Sequence, residues 1–166
     1  MSDDHEGGPE RRQLLTQDVM ERTGIDEAMI RRLVHAFYGA VRADPLIGPV
    51  FLGQVKDWDR HLAQMCDFWS SVALMTGRYH GRPMAPHIRL GLERAHFDRW
   101  LALFEETARR ECAGDAAAAH FVERAHRIAE SFELGIATHH GRPFPQRRPR
   151  PAWLVDVDQR AGTATA

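Results

Sequence analysis

The sequence has few of the features that mark secreted, membrane-spanning or nucleic-acid-binding proteins. It contains two cysteines, Cys66 and Cys112, in 166 residues, which is too few for a disulfide framework. It has no apolar run of 18 residues, and its N-terminus lacks the basic start and apolar stretch of a secretion signal. The net charge of −1 creates no overall field that would attract nucleic acid or an anionic membrane. We therefore expect a cytoplasmic protein that binds neither nucleic acid nor membrane.

Several catalytic and metal-binding motifs are also missing. There is no Gly-rich phosphate loop, no H-E-x-x-H and no paired C-x-x-C. Two Glu-x-x-His pairs, Glu93 with His96 and Glu123 with His126, have the spacing used in di-iron carboxylate bundles. Glu123, however, falls about 200° around its helix from the core residue Ala125, and the other helices offer no inward glutamate. We interpret both pairs as solvent-facing helix residues.

The hydrophobic pattern predicts an all-α fold built from four long helices. Apolar residues recur at steps of three and four over residues 26–43, 57–76, 93–112 and 115–140. Asp26 is predicted to cap the first of these helices, and Asp44-Pro45 to end it. Residues 77–86 are rich in glycine and proline, which favours a loop with at most one helical turn.

The same pattern divides the chain into a core domain, residues 23–140, with an extension at each end. Residues 1–22 are polar and lack sustained periodicity, so we predict a loose extension or one short helix near residues 14–20. Residues 141–166 begin with an Arg/Pro-rich stretch that contains four prolines. We predict that this tail is mostly disordered, with Arg147, Arg148 and Arg150 in solvent.

Four polar aromatic residues stand out as candidate site residues. Tyr38, His61 and Trp100 fall on the inward stripes of three predicted helices, and His87 follows the Gly/Pro-rich loop. Buried O–H and N–H groups need partners, so such a cluster indicates a polar ligand within an apolar shell. Each residue alone also has an ordinary interpretation as a satisfied core residue, and a haem-free helical adaptor remains the alternative.

Noncovalent haem b is a cofactor that would use this set. It needs a neutral axial imidazole, an apolar slot, and polar groups only where the sixth ligand sits. His87 suits the axial role, whereas Tyr38, His61 and Trp100 could donate hydrogen bonds to a small ligand such as O2 or NO. Two or three bonds of about 1 kcal/mol each would slow ligand escape by roughly one to two decades. The absence of C-x-x-C-H excludes c-type covalent attachment.

The order of these residues resembles that of the group III truncated haemoglobins between Asp26 and His139. The segments that carry the resemblance are 36–42, 47–51, 58–61, 68–69, 79–83, His87 and 97–104. The resemblance implies a globin-like, two-over-two helical sandwich with His87 as the proximal iron ligand and Tyr38, His61 and Trp100 on the distal side. It further implies that Phe51 packs on the haem and that Met65 faces the distal pocket.

The resemblance also implies a function in binding O2, NO or similar ligands, with a reductase as a candidate partner. Retention of the ligand would favour redox chemistry on O2, NO or peroxide, of the NO dioxygenase or peroxidase type. A passive oxygen-binding or gas-sensing module without turnover is the alternative. His61 would assist, gate entry or swing to the iron itself. By proximity to the loop, the candidates for the haem propionates are Arg78, Tyr79, Arg82 and Arg89.

Overall fold

The structure is a computed structural model that describes residues 7–163, and eight helices make up the regular structure of this range. They are α1 (Gly7–Thr23), α2 (Glu27–Ala43), α3 (Gly48–Gln54), α4 (Trp58–Leu74), α5 (Met84–His87), α6 (Arg94–Glu111), α7 (Asp115–His139) and α8 (Ala152–Thr163). The ends of the two predicted extensions, residues 1–6 and 164–166, lie outside the described residues.

The four long helices that the hydrophobic pattern predicts are confirmed as α2, α4, α6 and α7. The predicted cap of α2 is present, since Asp26 Oδ1 accepts a hydrogen bond of 2.7 Å from the backbone N–H of Met29. Asp57 caps α4 in the same way, with 3.0 Å between its Oδ1 and the N–H of Arg60. These bonds satisfy amide groups that a helix start would otherwise leave unpaired.

The long helices form two layers around an aromatic core. Helix α2 contacts α4 and α6, and α7 contacts α6 and α4. The fully buried rings of Phe37, Trp69 and Phe104 come from α2, α4 and α6 and join these helices, with Trp69 stacked on Phe104 at 4.6 Å between ring centroids. The polar and aromatic side chains that point inward are thereby held at fixed positions.

The buried carboxylate of Asp44 links the end of α2 to the start of α3 and to α6. Its Oδ1 accepts hydrogen bonds from the N–H groups of Leu46 and Ile47, and its Oδ2 lies 2.6 Å from Arg99 Nε on α6. Burial alone would raise the pKa of Asp44, but these backbone bonds and Arg99 outweigh that effect and lower it. The chain is thus anchored where it enters α3.

Three segments differ from the predictions. Helix α1 continues for 17 residues where a loose extension or one short helix was predicted, and the seven-residue α3 lies after Asp44-Pro45, where no helix was predicted. The tail predicted to be mostly disordered instead contains α8, whose Leu154 is 2% exposed. It is held because its arginines meet carboxylates of α6 and α7, a long-range pairing that local composition does not reveal.

The interpretation of the second Glu-x-x-His pair is also corrected. Instead of facing solvent, His126 is 5% exposed, and Glu123 forms an ion pair of 2.9 Å with Arg150. The folded tail covers this face of α7. Among residues 7–163, no three His, Cys, Asp or Glu side chains are grouped so that they could hold a metal ion.

None of the helices described between residues 7 and 163 is both long and apolar enough to cross a membrane.

Candidate functional site

A cavity of about 420 Å³ lies between α3, α4, α5, α6 and α7. Its wall is mainly apolar, and the apolar side chains that line it are Ile47, Val50, Phe51, Val55, Phe68, Pro86, Leu90, Leu92, Phe97, Ile128, Ala129 and Phe132. Three of the four polar aromatic residues predicted from the sequence, His61, His87 and Trp100, also line it. A cavity of this size and lining is typical of sites for small organic ligands and cofactors.

His87 ends the short helix α5 and is held from two sides. Its Nδ1 lies 2.5 Å from the carbonyl oxygen of Pro83, which can only accept, so Nδ1 carries the proton and Nε2 keeps its lone pair. Its ring packs on Phe132 of α7 at 4.7 Å between centroids. Burial lowers the pKa of His87, although the bond to Pro83 opposes this. The imidazole is therefore neutral at pH 7 and offers Nε2 as an electron-pair donor.

His61 extends from α4 into the same cavity. Its Nε2 is buried and has no hydrogen-bond partner among the described residues. Burial lowers the pKa of His61, and the nearby His87 lowers it further. An unsatisfied buried nitrogen costs about 1–3 kcal/mol, so a ligand that pairs with it would be stabilised there.

Trp100 occupies the α6 wall with its ring fixed by two aromatic neighbours. It stacks on Phe104 at 5.5 Å and meets Phe37 edge-on at 5.7 Å between centroids. These contacts leave the indole little freedom to rotate, so its N–H points in a set direction.

Tyr38 lies behind the cavity wall. It is 5% exposed, and its ring meets His61 at 5.1 Å and Phe51 at 5.8 Å between centroids, both edge-on. Burial raises the pKa of Tyr38 far above its usual value, with Cys66 adding to the effect, so the phenol stays protonated. Tyr38 thus supports the two cavity residues Phe51 and His61 directly.

The other residues predicted for the site occupy different positions. Phe51 lines the cavity, whereas Met65 packs against the hydrophobic core and Tyr79 meets the lining residue Phe68 edge-on at 5.3 Å. Arg78 lies 3.4 Å from Glu27 on α2. In the described part of the chain, the cavity wall includes none of the four propionate candidates, Arg78, Tyr79, Arg82 and Arg89.

The polar edge of the cavity was not predicted. It comes from the end of α3, the start of α4 and the start of α6, and consists of Gln54, Lys56, Asp57, Arg60, Gln64 and His96. Lys56 and Arg60 are exposed cations beside an apolar cavity. The signal in the sequence is that Arg60 directly precedes His61, but charged residues in the first turn of a helix usually face only solvent.

The arrangement as a whole can hold a flat apolar group. Two neutral imidazoles reach the cavity from α4 and α5, aromatic and aliphatic side chains surround it, and two cations stand at its rim. The donor set and the unpaired His61 nitrogen are the features that a haem with an axial imidazole would use.

Comparisons with known proteins agree with this geometry. No protein-family model matches the chain. A curated relative, the group 3 truncated haemoglobin ctb of Campylobacter jejuni, is 34% identical over 88 residues, which cover 50% of this chain and 69% of the relative. The crystal structure of a group III truncated haemoglobin from Campylobacter jejuni matches with a TM-score of 0.61 and 31% identity, covering 65% of this chain and 88% of that chain. These matches confirm the two-over-two globin fold, and the chain belongs to the group III truncated haemoglobins.

Proposed function

We propose that this protein binds noncovalent haem b in the cavity, with His87 Nε2 as the proximal ligand of the iron. The observation that carries the proposal is a neutral His87, fixed through Nδ1, that faces an apolar cavity which also contains the unpaired Nε2 of His61. When bound, haem supplies an iron centre that takes up diatomic ligands and exchanges electrons.

The protein's own groups determine what happens on the distal side. His61 and Trp100 are positioned to donate hydrogen bonds to a small ligand such as O2 or NO, and Tyr38 holds the His61 ring. Each such bond contributes about 1 kcal/mol, so the ligand would leave slowly. Slow release favours redox chemistry on O2, NO or peroxide, supported by a reductase. Fast release without NO or peroxide consumption would instead favour a passive binding or sensing role.

The unpaired Nε2 of His61 also gives this residue a second role as an internal ligand or gate. Without an external ligand, occupation of the iron's sixth position by His61 would satisfy this buried nitrogen. We expect the ferric protein to show a low-spin absorption spectrum at neutral pH, and the His61→Leu variant to show a high-spin spectrum. A wild-type spectrum that is high-spin and water-ligated throughout neutral pH would contradict internal ligation.

Lys56 and Arg60 are proposed to meet the haem propionates in place of the residues first predicted. Both cations lie at the rim of the cavity, where the carboxylates of an inserted haem would reach solvent. Exposed charge pairs of this kind contribute at most about 1 kcal/mol each, so they would orient the haem more than they would retain it.

The experiment that tests the proposal compares His87→Ala with wild type and with His80→Ala, an exposed histidine in the same loop region. We expect wild type and His80→Ala to bind one haem per chain. His87→Ala should lose most of its haem or show a displaced Soret band, which imidazole added to the solution restores. Equal haem content and an unchanged Soret band in His87→Ala would remove His87 from the axial role.

A further inference from the structure

The segment that follows α7 folds back over the outside of the cavity wall. We name residues 142–163 the C-terminal strap. It contacts α6, where the carbonyl of Gln146 accepts a hydrogen bond of 2.8 Å from Arg94 Nη1 and Trp153 Nε1 donates one of 2.5 Å to Glu105 Oε1. It also contacts α7, where Arg150 Nε lies 2.9 Å from Glu123 Oε2. Leu154 of α8 is 2% exposed. The strap is therefore a packed part of the fold.

Arg148 is the residue of the strap that joins α6 to α7. Its side chain is 6% exposed, and its guanidinium forms a two-pronged pair with Glu133 of α7, in which Nη2 lies 3.0 Å from Oε1. Its Nε donates to Asp98 of α6 at 2.7 Å, and Nη2 also approaches the carbonyl oxygen of Arg94 at 3.4 Å. One rigid planar group thus bridges the two helices.

The α7 residue that Arg148 binds lies between the two points where α7 supports α5. Phe132, directly before Glu133, packs on the His87 ring. Gly135, two residues after Glu133, meets Met84 so closely that a Cβ at this glycine would lie 2.6 Å from Met84 Cε. Because α5 rests on α7 at these two points, a displacement of α7 would move His87 as well.

We call Arg148 with its partners Glu133 on α7 and Asp98 on α6 the clamp, and its α6 leg reaches the opposite wall of the cavity. Asp98 lies between Phe97 and Trp100, which both line the cavity. The buried guanidinium of Arg148 therefore connects the backbone that carries Trp100 to the backbone that supports His87. Arg147, by contrast, is 82% exposed and lies 3.9 Å from Glu130, so it links nothing across the cavity wall.

We propose that Arg148 is a positioning residue that sets the distance between the α6 and α7 walls and thereby the approach of His87 to the iron. The proposal rests on the proposed function, because it assigns His87 as the proximal ligand. It predicts that a variant without the clamp holds His87 less firmly, although no group that contacts the cofactor has been changed.

The test uses three variants of the full chain loaded with haem. Arg148→Gln removes both legs of the clamp. Asp98→Ala removes only the ion pair to α6 and keeps Glu133 paired, which makes it the milder change, since Asp98 is 54% exposed. Arg147→Gln is the matched control. The readouts are the rate of haem transfer to an excess of an apoglobin acceptor and the iron–histidine stretching band of the ferrous protein in resonance Raman spectra.

We expect haem transfer from Arg148→Gln to be at least about tenfold faster than from wild type, which corresponds to about 1.4 kcal/mol. Asp98→Ala should be several-fold faster, and both variants should show a shifted or broadened iron–histidine band. A merely structural role would lower the urea midpoint but leave the band of the folded protein unchanged. Should Arg148→Gln fail to fold, Asp98→Ala decides the outcome alone.

Two results would overturn the inference. The first is a transfer rate for Asp98→Ala within about twofold of Arg147→Gln together with an unchanged Raman band. The second is equal amide hydrogen exchange over residues 94–101 and 127–135 in all the folded variants. A wild-type protein that takes up no haem would instead refute the proposed function, and hydrogen exchange over these ranges would still test the clamp.

Discussion

Two histidines in one cavity are suited to different roles because their neighbours differ. His87 Nδ1 is bound to the carbonyl of Pro83, so its Nε2 is free to act as a ligand in a fixed direction. His61 has aromatic rings beside it and no partner for its buried Nε2 among the described residues. The first imidazole is rigid and suits permanent coordination, whereas the second is held by ring contacts alone and suits a gate or a donor.

The indole N–H of Trp100 is predicted to retain a bound ligand. Trp100→Phe keeps a ring that can stack on Phe104 but removes the N–H, so one hydrogen bond of about 1 kcal/mol would be lost. We expect the O2 dissociation rate of the ferrous protein to rise about fivefold, measured by stopped-flow displacement.

Trp153→Phe is the control for Trp100→Phe, because Trp153 donates its N–H to Glu105 on the outer side of α6. Its O2 dissociation rate should equal that of wild type. An unaltered rate in Trp100→Phe would mean that the indole does not reach the ligand.

Helical periodicity predicted which residues turn inward, but it could not predict what they would face inside. His61 and Trp100 face the cavity, whereas Tyr38 supports its wall and Met65 packs against the core. A step of 3.6 residues defines one apolar stripe per helix, and two adjacent positions on that stripe can face a cavity or a neighbouring helix. The packing of neighbouring helices decides whether such a position faces the cavity or another helix. The roles of these residues therefore stay predictions.

At the scale of elements, the junction of α3 and α4 forms the polar rim of the cavity. Lys56 lies in this junction and is the only lysine of the chain, which makes it a selective chemical probe. An amine held in an ion pair with a carboxylate is less available to a reagent than a free amine. We expect amine-reactive labelling of Lys56, followed by peptide mass spectrometry, to be several-fold slower in the haem-loaded protein than in the protein without haem.

Protein loaded with haem dimethyl ester distinguishes charge pairing from simple coverage of Lys56. The ester fills the same space but lacks the two carboxylates, so Lys56 should label nearly as fast as without haem. Equal protection by haem and by its ester would show that Lys56 does not pair with a propionate.

The helices that the sequence predicted are those whose apolar residues repeat over four or more turns. Helices α2, α4, α6 and α7 bury such stripes against one another. Helix α1 has few apolar residues and buries mainly Val19, while α8 follows a proline-rich segment and depends on Leu154 and Trp153. Their stability comes from contacts with distant helices, and a local pattern does not contain that information.

For the whole molecule, histidines that are half-buried or buried make stability depend on pH. Burial is the largest cause that lowers the pKa of His61, His87, His120 and His126, so the folded protein keeps them neutral below the pH at which they protonate in the unfolded chain. At a pH between the pKa of such a histidine in the folded protein and its pKa in the unfolded chain, the unfolded state binds more protons. The contribution of these histidines to the free energy of unfolding is therefore fully present above about pH 6.5 and decreases as the pH falls below it.

His120 gives the clearest test, because burial lowers its pKa to about 4. Its Nε2–H donates to the carbonyl of Ala73 at 2.8 Å, which the amide of a glutamine can replace without a titrating group. Between pH 7.5 and pH 5, His120 should cost about 2 kcal/mol of stability, since each pH unit below 6.5 contributes about 1.4 kcal/mol. Urea unfolding of the haem-loaded protein should show that His120→Gln loses about 2 kcal/mol less stability than wild type over this pH interval.

His35→Gln is the control, because His35 is exposed, and its loss of stability should equal that of wild type. Parallel losses in His120→Gln and wild type would show that His120 is not kept neutral by the fold.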